Sequence, residues 1–165
     1  MPLAPPITSI EQLKGHPAIA RLQQWNPSVI EAVKFDREEM SITIERSALR
    51  EACALLRDDS SCPFNYLSDV TCVDWYPSEP RFEVIYHLLS LPQKERVRLK
   101  VRLRGDAPAI ESVTSIWPAA NFFEREVYDL FGVRFTGHPY LRRIQMPENW
   151  EGHPLRKDYP VEGYR

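Results

Sequence analysis

Residues 96–104 read Arg-Val-Arg-Leu-Lys-Val-Arg-Leu-Arg and alternate strictly between cations and aliphatic side chains. Because successive side chains of a β-strand point to opposite faces of a sheet, this alternation predicts a strand with one buried face. Five cations at this spacing could follow nucleic-acid phosphates. No aromatic stacking platform lies among them, so a solvated or salt-bridged sheet face, whose charge protects a strand edge, is the favoured interpretation, and no nucleic-acid partner is expected.

A second strand is predicted immediately before this one, over residues 82–89. If a hairpin loop joins the two strands, Ser90 pairs with Glu95, and Glu83 lies opposite Arg102 as a favourable cross-strand ion pair. The two strands would then share one apolar face, which predicts the centre of an antiparallel sheet.

Further elements are expected on both sides of this hairpin. A short amphipathic helix or two is predicted within residues 10–25, and Ser47 is expected to cap the next helix. The remaining candidates are strands at 29–35, 40–44 and 66–76, helices at 49–56 and 118–131, and a glycine cap at Gly132. Together they predict an α+β fold with a mixed, largely antiparallel sheet, two or three covering helices and an extended irregular C-terminal tail.

The helix after Trp117-Pro118 carries more charge than its apolar face requires. Arg125 and Asp129 are four residues apart and are expected to pair on the open surface. Glu126 flanks the apolar stripe, so a half-buried carboxylate in need of a donor is expected there, with Arg142 or Arg143 of the tail as candidates. The stripe itself is predicted to hold Phe123, Val127, Leu130 and Phe131.

The chain divides into an N-terminal arm at 1–8, an α+β domain at 9–132 and a tail at 133–165. Prolines and glycines interrupt the tail, yet it is rich in aromatic and aliphatic residues. Arginine and aromatic side chains are typical interface anchors, so the tail is predicted to dock on a partner protein. The alternative, a tail wrapped on its own domain, is nearly as strong from the sequence alone.

The number and spacing of the cysteines and histidines do not favour a metal or redox site. Three cysteines at 53, 62 and 72 fit neither a disulfide framework nor a close-spaced metal pair, and an iron–sulfur cluster needs about four thiolates. His16, His138 and His153 each occur in a Gly-His-Pro triplet, which is more economically a turn than a metal motif. No secretory signal is expected at residues 1–6, and no apolar stretch is long enough to span a bilayer.

A longer match lies in the last third of the chain. Residues 124–139 read Glu-Arg-Glu-Val-Tyr-Asp-Leu-Phe-Gly-Val-Arg-Phe-Thr-Gly-His-Pro, residues 141–144 read Leu-Arg-Arg-Ile, and residues 146–160 read Met-Pro-Glu-Asn-Trp-Glu-Gly-His-Pro-Leu-Arg-Lys-Asp-Tyr-Pro. These stretches resemble the signature of the C-type (30 kDa) subunit family of proton-pumping NADH:quinone oxidoreductase, respiratory complex I. Residues 66–70 and 73–75 look like the central strand of that family.

The resemblance implies a non-catalytic protein packed against the D subunit of complex I and near the B and I subunits. It also implies a peripheral position on the cytoplasmic side of the bacterial inner membrane, reached only through the complex. FMN and the iron–sulfur clusters would belong to other chains. The predicted partner-docking residues are Glu124, Glu126, Arg142, Arg143, Trp150, Arg156, Lys157, Asp158 and Tyr159. The alternative is the equivalent component of a photosynthetic NDH or membrane-bound hydrogenase complex, although residues 152–156 lean toward the respiratory form.

Overall fold

A five-stranded mixed sheet forms the centre of the molecule, in a computed structural model that describes residues 5–163. Residues 1–4 of the predicted arm and 164–165 of the predicted tail lie outside the described range. In chain order the elements are α1 Ile10–Leu13, α2 Pro17–Trp25, β1 Ile30–Asp36, β2 Glu39–Ile44, a 3-10 turn at Arg46–Ala48, α3 Leu49–Arg57, β3 Tyr66–Asp74, β4 Phe82–Ser90, β5 Glu95–Leu103, β6 Ala109–Glu111, α4 Ala120–Phe131 and β7 Arg134–Thr136.

The predicted hairpin of β4 and β5 is confirmed in its register. Ser90 lies opposite Glu95, and Glu83 lies opposite Arg102. The expectation that β5 protects a sheet edge with its cations is wrong, because β2 pairs with β5 in parallel and makes it a central strand in the order β1-β2-β5-β4-β3. Since every other strand pair is antiparallel in this sheet, the predicted mixed, largely antiparallel α+β fold is confirmed.

Carboxylates neutralise much of the basic face of β5. Glu83 is 2% exposed and accepts from Lys100 Nζ at 3.0 Å and from Arg102 Nε at 3.3 Å. Arg98 forms an ion pair with Glu39 of the neighbouring strand. The salt-bridged sheet face predicted from the sequence is therefore observed.

The N-terminal hairpin of β1 and β2 turns through two residues with positive φ, Arg37 at 53° and Glu38 at 64°. Left-handed conformations at both central positions match the twist of a two-residue hairpin loop, although glycine and asparagine are the usual occupants. The N-terminal arm pairs with the outer side of β1 at Ile7. The Ile7 N–H donates to the Phe35 carbonyl at 2.9 Å, and the Phe35 N–H donates to the Ile7 carbonyl at 2.8 Å.

The core fills the space between the apolar face of the sheet and α2, α3 and α4. Alternate residues of β4 and β5 supply its centre, and burying each large aliphatic or aromatic side chain contributes roughly 1.5–3 kcal/mol. Its largest fully buried side chains are Tyr86, Phe64, Phe82, Ile19, Leu22, Ile42, Ile44, Leu49, Leu56, Leu88, Leu99 and Leu103.

Two predictions about helix ends have opposite outcomes. Gly132 ends α4 with a φ of 75° and donates its N–H to Tyr128, so the predicted glycine cap is confirmed. The Ser47 cap is wrong, because that residue lies in the 3-10 turn before α3 and its hydroxyl donates to Glu45 at 2.6 Å. The N-cap position of α3 is Ala48, one residue after Ser47, so the helix begins without a side-chain cap.

The first residues of the predicted tail belong to the globular part of the molecule. Strand β7 pairs in parallel with β6, with Phe135 opposite Ile110. Val133 and Phe135 are 0% and 2% exposed, so they contribute to the core. The irregular segment therefore starts at Gly137, and we call residues 137–163 the C-terminal segment.

Candidate partner-docking surface

Helix α4 presents two fully buried carboxylates to different neighbours. Glu124 continues the stripe of Ala120, Val127 and Phe131 that faces the sheet, while Asp129 lies five residues further on, roughly 140° around the helix. Both side chains are 0% exposed. The helix is therefore enclosed by the globule on one side and by the C-terminal segment on the other.

Asp129 is the main attachment point of the C-terminal segment. Its Oδ1 accepts from Arg143 Nη1 at 2.6 Å, and its Oδ2 accepts the backbone N–H groups of Ile144, Gln145 and Met146 at 2.9, 2.7 and 2.8 Å. Burial by itself would raise the pKa of Asp129, but these donors outweigh it and lower the pKa from its ordinary value. The carboxylate thus stays charged and organises an otherwise irregular backbone.

Arg143 extends this attachment to later residues. Besides Asp129, its guanidinium donates to the carbonyl oxygens of Trp150 and Gly152, each at 3.0 Å. One planar side chain with several donors therefore closes the loop between residues 143 and 152, a geometry that lysine could not reproduce.

The C-terminal end of α4 is a second attachment point. Leu155 N–H donates to the Leu130 carbonyl at 3.0 Å, and Arg156 Nε donates to the Phe131 carbonyl at 2.6 Å. Carbonyls in the last turn of a helix lack helical partners, so these donors satisfy them. A Cβ at Gly132 would lie 2.5 Å from Arg156 Nη2 and would displace that guanidinium, and the positive φ of 75° itself favours glycine.

The third attachment point joins the segment to the β3–β4 connection. Arg81 donates to Asp74 at 2.7 and 2.8 Å and to Asp158 at 2.6 and 3.0 Å, and Lys157 N–H donates to Asp74 at 2.8 Å. Burial opposes the charge on Asp74, but its bonds with Arg81, Lys157 and Tyr76 lower its pKa to about 2. A buried carboxylate–arginine pair thus holds the segment against the sheet.

These contacts are polar, whereas the large apolar side chains of the same region face outward. Their exposure is 39–61% on the segment and on the adjacent surface of α4. They are Phe122, Tyr140, Ile144, Trp150 and Leu155, and Trp75 and Tyr76 are similarly exposed beside the third attachment point. Exposed sets of this kind are typical of protein-association surfaces.

The predicted docking residues are not one surface. Glu124 is buried inside the globule, whereas Glu126, Arg142, Trp150, Lys157 and Asp158 are exposed on or beside the segment. The remaining members, Arg143, Arg156 and Tyr159, are partly buried against the molecule itself. Their role in docking stays a prediction.

Two expectations for α4 are wrong. Glu126 is exposed rather than half-buried, because the buried stripe runs through Glu124 and leaves Phe123 and Leu130 only partly covered. Arg125 does not pair with Asp129 on an open surface. Its guanidinium donates to the carbonyls of Arg142 and Arg143, both at 3.1 Å, while Asp129 is enclosed by the segment.

The three Gly-His-Pro histidines have separate local roles. His16 contacts Glu95 at 3.1 Å, His138 contacts the carbonyl of Asn121 at 3.1 Å, and His153 contacts the carbonyl of Asp129 at 2.8 Å. Over residues 5–163, no three His, Cys, Asp or Glu side chains group in a way that could hold a metal ion. Nor does that range contain a helix of the length and hydropathy that a bilayer crossing requires.

The sequence interpretation missed Asp74, Arg81 and the attachment role of Asp129. A weak signal exists for Asp129: an acid on the far side of an amphipathic helix, followed by paired arginines at 142 and 143. Asp74 and Arg81 flank a loop with two prolines, and nothing in their spacing points to residue 158. These contacts depend on tertiary structure.

Comparison with known proteins gives a consistent family. The family described as "Respiratory-chain NADH dehydrogenase, 30 Kd subunit" matches residues 42–165. The C subunit of NADH-quinone oxidoreductase from Roseiflexus sp. strain RS-1 is 44% identical over 143 residues, which cover 87% of this chain and 82% of that protein. The C 2 subunit of the same oxidoreductase from Rhizobium etli strain CIAT 652 is 54% identical over 115 residues, covering 70% and 61% of the two chains.

Two solved structures share the fold. A chain of an archaeal respiratory membrane complex, the membrane-bound sulfane sulfur reductase, aligns with a TM-score of 0.74 and 28% identity over 90% of this chain and 86% of that one. A trypsin-resistant fragment of Nqo5 aligns with a TM-score of 0.54 and 34% identity over 62% of this chain and 83% of that one.

Proposed function

This chain belongs to the family of the 30 kDa subunit of respiratory-chain NADH dehydrogenase, and we propose that it acts there as a docking scaffold with no redox chemistry of its own. As a component of complex I it works within a multi-subunit NADH:quinone oxidoreductase and is peripheral and membrane-associated. The names of its relatives favour this assignment over a place in a photosynthetic NDH or hydrogenase complex.

One observation carries the docking proposal: polar bonds fix the backbone of the C-terminal segment, and most of its large apolar side chains are left in solvent, with Leu141 packed against the core as an exception. Trp150 and Leu155 are 39% and 52% exposed although the backbone around both is hydrogen-bonded. Ordering a surface before association reduces the entropy lost on binding, so such a surface suits a permanent contact between subunits.

We assign the partners by this surface and by family membership. The D subunit of complex I is proposed to cover the C-terminal segment and α4, with the B and I subunits nearby. Exposed Arg142, which stacks on Tyr140 at 4.4 Å, and exposed Lys157 would meet carboxylates or backbone carbonyls of these partners. Attachment to the membrane, on the cytoplasmic side, would run through the assembled complex.

The proposal that electron transfer resides in other subunits rests on how this chain uses its reactive groups. Cys53, Cys62 and Cys72 are buried, and burial raises the pKa of each thiol, which disfavours the thiolates that an iron–sulfur cluster requires. Asp74 and Asp129 are committed to structural bonds. FMN and the clusters are therefore assigned to neighbouring chains.

The structure sharpens the truncation that tests docking. Deleting residues 133–165 would remove Val133 and Phe135 from the core, so failure to bind would be ambiguous. A chain that ends at residue 137 keeps β7 and should fold, yet it should lose association with the D subunit in co-purification from membranes. Retained association would overturn the docking role of the segment.

A paired substitution gives a finer test. Trp150→Ala with Leu155→Ala should weaken binding to the D subunit at least tenfold, because exposed aromatic and aliphatic anchors carry much of an interface's free energy. Leu91→Ala is the matched control, since Leu91 is 56% exposed but lies in the β4–β5 hairpin loop. Equal affinities of the pair and the control would contradict the proposed surface.

A further inference from the structure

The buried carboxyl of Glu124 has an unusual set of neighbours. Its Oε2 accepts the Ser112 hydroxyl at 2.6 Å and its Oε1 accepts the Val113 backbone N–H at 2.7 Å. In the described part of the chain, no lysine, arginine or histidine forms an ion pair with it. A carboxylate taken out of water without a counter-cation is costly, and holding a proton removes most of that cost.

The elements packed around Glu124 bring no charged side chain up to its carboxyl, and Arg50 of α3 and Glu111 of β6 lie in the groove outside it. Cys53 of α3 and Tyr86 of β4 face it, and Cys72 of β3 lies near Tyr86. Burial raises the pKa of Cys53 and Tyr86, and the proximity of Glu124 raises both further. The Tyr86 hydroxyl is buried and has no hydrogen-bond partner. Cys53 and Tyr86 therefore stay neutral and offer no charge to balance a negative Glu124, so burial is what opposes ionisation of this carboxyl.

A hydroxyl pair connects this carboxyl with the surface. Ser112 Oγ lies 2.8 Å from Thr114 Oγ1, and either hydroxyl can be the donor. Both residues line a surface groove of about 320 Å³, together with Arg50, Ser115 and Thr136. Reversing the two hydroxyls turns Ser112 from a donor to Glu124 into an acceptor from it.

We propose that Glu124, Ser112 and Thr114 form a proton-binding site that exchanges one proton with solvent through this groove. On uptake, a hydronium ion at the groove gives its proton to the Thr114 hydroxyl and becomes water, while Thr114 passes its own hydroxyl hydrogen to Ser112. Ser112 passes its hydrogen to Glu124 Oε2, which becomes a neutral acid. Both hydroxyls end neutral and reversed, and release runs the same steps backward.

The Glu124 carboxyl changes its charge within the physiological pH range. Burial raises the pKa of Glu124 from 4.5 to about 7, and the bonds from Ser112 and Val113 limit the rise. The folded state holds this proton more tightly than the unfolded state. The contribution of Glu124 to the free energy of unfolding therefore falls as pH rises from 4.5 to about 7, and it changes no further above about 7. The folding equilibrium constant should fall roughly tenfold per pH unit inside that window.

The direct test is a carboxyl carbon-13 NMR titration of the full chain. One glutamate resonance should titrate with a midpoint near 7 and disappear in Glu124→Gln. Glu126→Gln is the matched control on the same helix, and it should keep that resonance. Ser112→Ala should move the midpoint upward, because it removes a donor that favours the charged form. A Glu124 midpoint below about 5, or no change in Ser112→Ala, would overturn the proposal.

Unfolding in urea gives an independent readout. Between pH 5 and 7 the folding equilibrium constants of wild type and Glu126→Gln should fall roughly fortyfold more than that of Glu124→Gln. Parallel curves for all three proteins would count against the site. If Glu124→Gln does not fold, the wild-type and Ser112→Ala titrations decide the question, because neither requires that variant.

Discussion

The globule and the C-terminal segment are ordered by different forces. Residues 5–136 have a continuous apolar core beneath a five-stranded sheet, whereas residues 137–163 have no helix or strand and rely on Asp129, Arg143 and the Asp74–Arg81–Asp158 contacts. Hydrophobic burial is non-directional and tolerant, while the polar contacts depend on individual atoms. The segment is therefore held in place while most of its large apolar side chains stay exposed.

The strongest test of this difference removes part of the core. Leu99 is 0% exposed on the central strand β5, and Leu99→Ala should lower the free energy of unfolding by about 3 kcal/mol or more through lost burial and a residual cavity. Because the segment is attached to the globule, its amide protection should be lost together with that of the sheet. Urea denaturation and hydrogen exchange measure both effects.

The converse substitution should separate the two regions. Asp129→Asn removes the charge that accepts from Arg143 and three backbone N–H groups, so the attachment free energy of the segment should fall by about 3 kcal/mol. Exchange at Ile144, Gln145 and Met146 should accelerate while the amides of β4 and β5 stay protected.

Arg142→Ala provides the control for that experiment, because Arg142 is an exposed neighbour of Arg143 whose side chain pairs with Glu148 instead of Asp129. It should leave the exchange rates near wild type. If Asp129→Asn unprotects the sheet and the segment equally, the two regions are one cooperative unit and the contrast drawn between them is wrong.

Acid should weaken the third attachment point, the Asp74–Arg81–Asp158 contact, by less than Asp129→Asn weakens the first. The pKa of Asp74 is about 2 in the folded state against an ordinary 3.8, so its contribution is fully present above about 4 and is lost as pH falls toward 2. The shift corresponds to about 2 kcal/mol. Exchange at the Lys157 amide should therefore accelerate across that range, and in Asp74→Asn it should already be fast, with no such step. A pH-independent opening in wild type would show that Asp74 does not hold the segment.

The sequence predicted the globule better than the surface around it. Alternation in β4 and β5 predicted the faces, the hairpin and the Glu83–Arg102 pair, because these depend on local periodicity. The parallel pairing of β2 with β5 was not predictable in the same way, since it joins residues more than fifty positions apart. Strand order is decided by tertiary packing, and the sequence pattern contains no direct record of it.

Helix α4 shows why the candidate site was harder to predict. A search for apolar spacing selects Phe123 and Leu130, yet the buried stripe includes the charged Glu124, whose donors come from residues 112 and 113. Asp129 is buried beneath a backbone segment whose N–H groups donate to it, and a pattern of side-chain types cannot predict such contacts. Family resemblance marked this region as important without indicating which of its acids face inward.

The bond pair between Ile7 and Phe35 has a consequence for solubility during assembly. A strand at the margin of a sheet offers unpaired amides to any other extended chain, and such margins promote aggregation. By occupying part of the outer side of β1, the arm makes that margin less available to a second molecule. Before it assembles with other subunits, the chain is thereby less prone to self-association through the edge of β1.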